Sequence, residues 1–287
     1  MDAKFWNNEV ISRRDAIKKI SAGLLLSLGL WPGAQNLKAN IGEGKPFKFI
    51  VINDIHCMSP ECEKWLKMVV QQMRKIKGVE FCLIAGDLTE KAETKYLGAV
   101  KEIFSGLGCP VYVQIGNHDQ ITPNSRRTYE YVFPHRINYW FEHRGWQFIG
   151  LDTTEGQKWE KTFIQPETFR WVDKNLKKLN KLKPTVIFTH FPLGAKVHYR
   201  PLNADDLLER FKEFNLRAVF SGHWHGFTET IQDNVIFTTN KCCALRRGNH
   251  DKTTEKGYFV VTIKDGKIIR EFVQHVVPDE FRGIAKL

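Results

Sequence analysis

The sequence is poor in cysteine. Cys57, Cys62, Cys82, Cys109, Cys242 and Cys243 are six among 287 residues, too few for that length to form a disulfide scaffold, so a buried core must carry the fold. In an oxidising compartment the sequence permits a Cys57–Cys62 bridge. Cys82, inside an apolar run, reads as a small buried hydrophobe, and the neighbours Cys242 and Cys243 could pair only through a strained link. There is no apolar run of about 20 residues, the length a helix needs to cross a bilayer. Internal repeats and low-complexity tracts are absent too, which sets aside solenoids and long polar linkers. What remains is an ordinary globular composition, 42% hydrophobic and 26% charged, long enough for one large domain or two small ones. The formal charge of +11 favours anionic partners.

The first 39 residues differ from the rest. Ser12-Arg13-Arg14-Asp15-Ala16-Ile17-Lys18 precedes a short apolar run from Ile20 to Trp31, then Pro32, Gly33 and small residues. This order resembles a twin-arginine export signal, with Ala16 where a bulky apolar residue is usual. The resemblance implies a signal segment at 1–39, a domain at 40–287, the twin-arginine export machinery as a partner, and a periplasmic or extracellular location. The other reading is an amphipathic helix with a chance arginine pair. No cysteine follows the apolar run, which argues against a lipoprotein anchor. Without this segment, 37 basic residues face 29 acidic ones, or +8.

Beyond the linker Asn40–Pro46 the hydrophobic pattern predicts strands and helices in alternation. Strands are expected at 47–53, at the apolar start of 81–90 and at 111–115. A helix opened by Ser59-Pro60 and a second over 92–107 join them, the signature of a parallel sheet with right-handed crossovers. Residues 120–136 read as an exposed loop with a short helix. A hairpin at 139–142 and 146–151 turns through Arg144-Gly145. Pro166 opens a lysine-rich helix to about Leu182, a strand runs over 186–188, a helix over 204–214 and a strand over 218–220. Turns at Asp233-Asn234 and Asp265-Gly266 mark later hairpins.

Five of these strands stop at polar residues of metal-binding type: Asp54 and His56; Asp87; Asn117, His118 and Asp119; His190; and His223 with His225. Strand C-terminal edges are where open α/β sheets bind ligands. Carboxylate, amide and imidazole without thiol suit divalent Mn, Fe, Zn or Co rather than a cysteine-rich structural zinc site. Seven of these nine, leaving aside His118 and Asp119, are still too many ligands for one ion, and with a shared carboxylate they fit two ions about 3.5 to 4 Å apart. Two such ions, two carboxylates and a hydroxide sum to roughly +1, which attracts phosphate.

The series Asp54-Ile55-His56, Gly86-Asp87, Gly116-Asn117-His118-Asp119, His190 and Gly222-His223-Trp224-His225 resembles the full motif set of the calcineurin-like metallophosphoesterases, over a span from about Phe47 to beyond His225. The resemblance implies an α/β fold, a four-layer α/β/β/α sandwich of two mixed sheets. It implies that Asp54, His56, Asp87 and His225 hold one metal and that Asp87, Asn117, His190 and His223 hold the other, with Asp87 bridging. A hydroxide shared by the ions would attack phosphorus in line. His118 would protonate the leaving oxygen or stabilise the transition state, and Asp119 would orient its ring. Glu90 stands where purple acid phosphatases place a tyrosine, so their tyrosinate–iron chromophore is not expected. The short single-domain layout is more similar to bacterial cyclic-nucleotide phosphodiesterases than to the longer 5′-nucleotidases.

These implications make the chain a phosphoric-ester hydrolase, with diesters expected before monoesters and a small phosphoester as the partner. A nuclease is the alternative that the positive charge suggests, and it would need a continuous basic groove. A non-enzymatic metal-containing binding protein is the other. Candidate substrate contacts are Arg126 and Arg127, His198 and Arg200 in the loop after His190, and Arg246-Arg247 after a late strand; each could equally be a solvated surface group. Trp224 could stack on a base or pack beside the metals.

Overall fold

The computed structural model describes residues 45–122 and 125–286. The expected signal segment 1–39 therefore lies outside the described residues. Among the described residues, eleven strands form two mixed sheets. The first has the order β11-β10-β1-β2-β3. Strands β1 (Phe47–Ile52), β2 (Val79–Ala85) and β3 (Val111–Gln114) are parallel, and β10 (Gly257–Lys264) and β11 (Lys267–Gln274) add antiparallel strands beside β1. The second has the order β4-β5-β6-β7-β9-β8. Its parallel centre is β5 (Trp146–Leu151), β6 (Thr185–Thr189), β7 (Leu216–Ser221) and β9 (Val235–Thr239), flanked by antiparallel β4 (Tyr139–His143) and β8 (Thr228–Gln232).

Alternation along the central strands explains why their sequence runs are apolar throughout. Phe49, Val51, Phe81 and Leu83 point one way, into a core shared with Phe148, Phe188 and Phe220 of the second sheet. Ile50, Ile52, Cys82 and Ile84 point the other way, under helices α1 (Pro60–Met73), α2 (Thr94–Ser105) and α3 (Arg127–Val132). On the far side Ile149, Ile187 and Val219 meet α4 (Pro166–Asn175) and α5 (Ala204–Glu209). Strands buried on both faces cannot show a two-residue polar alternation. The result is the four-layer α/β/β/α sandwich. Between the sheets the aromatic rings set the spacing: Phe49 stacks on Phe81 at 4.8 Å and Phe81 meets Phe148 edge-on at 5.0 Å.

Local chemistry sets some of the element ends. Ser59 caps α1, its hydroxyl accepting from the Cys62 N–H at 3.4 Å, with Pro60 in the first turn. Asp233-Asn234 and Asp265-Gly266 have positive φ at both central positions, as tight hairpin turns require. Two helices are shorter than expected. The helix expected to reach Leu182 ends at Asn175 and runs into a 3₁₀ turn, Leu176–Lys178. There the chain must turn back to feed β6, and Asn180 is pinned to the side chain of Gln147 at 2.8 and 2.9 Å. The helix expected over 204–214 is regular only to Glu209. Beyond it, three-residue hydrogen bonds such as Phe214 N to Phe211 O tighten the chain while still burying Phe211 and Phe214. Residues 120–136 are less exposed than expected, since Tyr129 and Val132 of α3 join the core. The cysteines carry no bridge: Cys57 and Cys62 are buried free thiols packed under α1. No described helix is long and apolar enough to cross a membrane.

Phe81 is central to the inter-sheet core and almost fully buried. Phe81→Ala is expected to lower unfolding free energy by about 3–5 kcal/mol, seen as a lower urea midpoint at unchanged slope. A shift under about 1 kcal/mol would mean that the sheets are not held by this ring stack.

Candidate metal centre

The C-terminal ends of β1, β2 and β3 in one sheet and of β6 and β7 in the other meet at one place. Asp54, His56, Asp87, Asn117, His190, His223 and His225 are all brought there, all buried. Glycines make the meeting possible. A Cβ on Gly86 would lie 2.4 Å from His190 Nδ1, one on Gly116 2.1 Å from Asp87 Oδ1, and one on Gly222 2.7 Å from both Ala85 O and Asp54 Oδ2. The polar ends leave their strands by a sharp reversal. Asp54, His56, Asp87, His223 and His225 all have left-handed backbone, with φ between 39° and 67°. For residues other than glycine this costs of order 1–3 kcal/mol each and persists only where the surroundings enforce it. Backbone bonds supply part of that enforcement: Asp54 N donates to Gly86 O at 3.1 Å, and both Ile55 N and His56 N donate to Asp87 O at 3.0 Å.

The donor atoms fall into two groups that share Asp87. Those of Asp54, His56, Asp87 and His225 lie within 4.8 Å of one another, as do those of Asp87, His190 and His223. Asp87 faces both ways, with Oδ2 3.4 Å from His56 Nε2 and Oδ1 3.3 Å from His190 Nε2. Around it His225 Nε2 lies 3.2 Å from Asp54 Oδ1 and 3.2 Å from His56 Nε2. His190 Nε2 lies 3.1 Å from Asn117 Oδ1 and 3.2 Å from His223 Nδ1. Atoms bound to one ion at about 2.0–2.2 Å are separated by roughly 3.0–3.4 Å, so these spacings match the edges of a coordination shell.

Each imidazole also has its outer nitrogen beside an oxygen, three of them in hydrogen bonds and His56 in an ion-pair contact. His190 Nδ1 lies 3.0 Å from Ala85 O, His223 Nε2 2.7 Å from Trp159 O, His225 Nδ1 3.1 Å from Gly248 O and His56 Nδ1 2.9 Å from Glu90 Oε2. An outer N–H donated to a carbonyl or carboxylate leaves the inner nitrogen with its lone pair turned into the cluster, the tautomer a metal requires. The residues therefore fit divalent ions on both the spacing and the chemistry of their donors. In the protein alone, burial would raise the Asp87 pKa, but the neighbouring His190, His118 and His56 outweigh it and hold the carboxyl well below its usual range.

Two residues depart from their expected places. Asp119 does not orient the His118 ring. It sits in a 3₁₀ turn, Asn117–Asp119, and its carboxylate is taken up by four donors: Gly116 N at 2.9 Å, Leu88 N at 3.1 Å, Thr89 N at 2.9 Å and Thr89 Oγ1 at 3.1 Å. It ties this turn to the one after β2, with its pKa pushed up to about 7 by burial and by the charge of Asp87. The His118 ring turns instead to Glu90, its Nδ1 3.0 Å from the Glu90 carbonyl, while its backbone N–H donates to Asp87 Oδ1 at 2.9 Å. Glu90 is the residue that sequence reasoning missed. Its carboxylate touches His56, and with His56 and His118 it forms a third close group. Burial raises the Glu90 pKa, but the bonds from His56 and Arg247 overcome this and bring it down to about 2. The parallel course of the loops after β1 and β2, joined by the Cys57–Thr89 bridge, is the cue that could have placed Glu90 beside His56.

Among the proposed substrate contacts, Arg126 is paired with Asp152 at 2.7 Å and Glu167 at 2.6 Å, and Arg200 donates to Leu193 O at 2.8 Å and to Asp205. Both are structural ties rather than free cations. Arg127 is exposed at the start of α3. His198 lies over Trp224 with ring centroids 4.4 Å apart, so that indole packs on a neighbouring ring.

The model of the calcineurin-like phosphoesterase family matches residues 47–227, which include all seven converging residues and Glu90. The chain belongs to the calcineurin-like phosphoesterase family. The two ligand groups suit the two divalent ions typical of the family. A probable glycerophosphodiester phosphodiesterase, GpdQ, of Arcobacter nitrofigilis is 24% identical over 179 residues, 56% of this chain and 62% of its own length. The chain thus spans about three fifths of that relative. Among solved structures it resembles the purple acid phosphatase PPD1 of yellow lupin, with TM-score 0.60 and 13% identity over 82% of this chain and 52% of that one. It also resembles TT1561 of Thermus thermophilus, with TM-score 0.55 and 13% identity over 79% of this chain and 99% of that one. These likenesses bear on the fold alone.

Gly116→Ala is expected to cut metal per chain, read by mass spectrometry of the folded protein, because the new methyl must displace Asp87. Full metal content in that variant would contradict the role of Asp87 as a shared ligand.

Proposed function

We propose that this protein hydrolyses phosphoric diesters in preference to monoesters at a dinuclear centre. Asp54, His56, Asp87 and His225 would hold one ion, and Asp87, Asn117, His190 and His223 the other. The observation that carries the reading is Asp87 itself, a buried carboxylate whose two oxygens face separate groups of imidazoles. Bound ions supply Lewis acidity and a water activated at neutral pH. The protein residues do the rest. Ala85, Trp159, Gly248 and Glu90 fix the four imidazoles so that their inner nitrogens stay aimed at the centre. Asp119 fixes the turn that carries Asn117 and His118. With Nδ1–H given to the Glu90 carbonyl, the His118 ring keeps Nε2 for proton transfer to the leaving oxygen. The preference for diesters is supported by the relative whose name is a probable glycerophosphodiester phosphodiesterase. The nuclease reading finds less support, since Arg126, Arg200, Arg246 and Arg247 each face a carboxylate rather than lining a free basic groove.

The test is hydrolysis of bis(p-nitrophenyl) phosphate and p-nitrophenyl phosphate by protein loaded with Mn, Fe, Zn or Co. His118→Ala is expected to lower kcat by about 10²–10⁴-fold with metal content unchanged, and Asp87→Asn to lower both rate and metal content. Wild-type turnover in both variants would overturn the mechanism. We also propose that residues 1–39 direct export through the twin-arginine route, on the order of Arg13-Arg14 and the apolar run after them. A reporter fused to them is expected to leave the cytoplasm, and to stay when both arginines become lysine. Retention of the unaltered fusion would refute this.

A further inference from the structure

Arg247 lies outside the segment matched by the family model, in the stretch that joins β9 to β10. It is nevertheless built into the centre from two sides. Its guanidinium binds the Glu90 carboxylate at two points, through Nε at 3.0 Å and through Nη2. The same carboxylate lies 2.9 Å from His56 Nδ1, and the Glu90 carbonyl holds His118. The guanidinium is thus one residue removed from a candidate metal ligand and from the expected general acid. Its backbone is fixed as well. The Arg247 carbonyl accepts from the ammonium of Lys256, a lysine only 1% exposed, and the carbonyl of the next residue, Gly248, receives His225 Nδ1.

The other basic candidates are differently placed. Arg126 and Arg200 are tied to carboxylates away from the cluster, and Arg246 reaches Glu61 at 3.3 Å. Arg247 alone among them is joined through a shared partner to the converging histidines. Two-point pairing fixes the plane of a guanidinium and leaves one edge for a second acceptor. Here that edge is Nη1, which has no partner among the described residues, on a side chain 36% exposed. The charge of Asp87 adds to that of Glu90 in holding the guanidinium protonated.

We infer that Arg247 grips the substrate's phosphoryl group, its Nη1 edge donating to a non-bridging phosphate oxygen while Glu90 holds the guanidinium plane. This deepens the phosphoesterase reading and rests on it. It also gives Glu90 a double task, locking His56 on one side and aiming the phosphate clamp on the other.

The experiment compares metal-loaded wild type, Arg247→Ala, Arg247→Gln, Arg247→Lys and, as a control that pairs with Glu61 rather than Glu90, Arg246→Ala. Three readouts are taken: KM for bis(p-nitrophenyl) phosphate, binding of inorganic phosphate by calorimetry, and metal per chain. Arg247→Ala and Arg247→Gln are expected to raise both KM and the phosphate Kd by about 10- to 100-fold at unchanged metal content, the scale of one charge-assisted hydrogen bond. Lysine should restore part of the loss, and Arg246→Ala should match wild type. Phosphate binding equal to wild type in the Arg247 variants would overturn the inference. So would a weakening that merely follows loss of metal, since Arg247 would then act only through Glu90 and His56. If the wild type binds phosphate in an Arg247-dependent way but hydrolyses no ester, the hydrolase reading falls and the clamp stands. A metal-loaded wild type that binds no phosphate defeats both.

Discussion

The constraint on which this structure depends is the burial of two carboxylates where two sheets converge. Asp54 and Asp87 are at most 1% exposed and sit among histidines, away from water. A buried negative charge is tolerable only with compensation at close range. In the protein itself, imidazoles and backbone N–H groups give it: His223 N donates to Asp54 Oδ2 at 2.9 Å and His118 N to Asp87 Oδ1 at 2.9 Å. Divalent cations would complete it. The glycines that let β2, β3 and β7 end so close to neighbouring ligands, and the reversed backbone at five ligand positions, serve this one requirement.

The rest of the fold supplies rigidity to that meeting point. Strands buried on both faces cannot slip by one residue without exchanging the aromatic inter-sheet core for the aliphatic outer one. Phe49 and Phe81 pack inward while Ile50 and Cys82 pack outward, so register at the strand ends is fixed by mismatch as much as by hydrogen bonds. The carbonyls that orient the histidines come from elements otherwise unrelated: the end of β2, the loop before α4 and the loop before β10.

Much of this was legible in the sequence. Asp54, His56, Asp87, Asn117, His190, His223 and His225 each follow an apolar run, and a run of β-branched and aromatic residues that stops at a polar group announces a strand end. The four layers came with the family resemblance, and the structure has them. Less visible was whatever depends on backbone atoms or on pairs far apart in the chain. The carbonyls of Trp159 and Gly248 have no side-chain signature, and nothing near Glu90 in the sequence announces Arg247, 157 residues away. Asp119 misled for a different reason: the family resemblance set it on the His118 ring, but four nearby N–H and O–H donors claim its carboxylate. The ends of α4 and α5 were overextended because helical periodicity continues through residues that stay buried in tighter turns.

The place of β10 has a consequence for how such a protein comes into being. All seven converging residues have been synthesised by His225, yet the strand that pairs with β1 on its open side is β10, Gly257–Lys264. Until that strand emerges, β1 has an unpaired edge, and the loop carrying Asp54 and His56 is framed from the β2 side alone. The frame of the centre is therefore complete only once a segment synthesised after the last of its ligands has paired with β1.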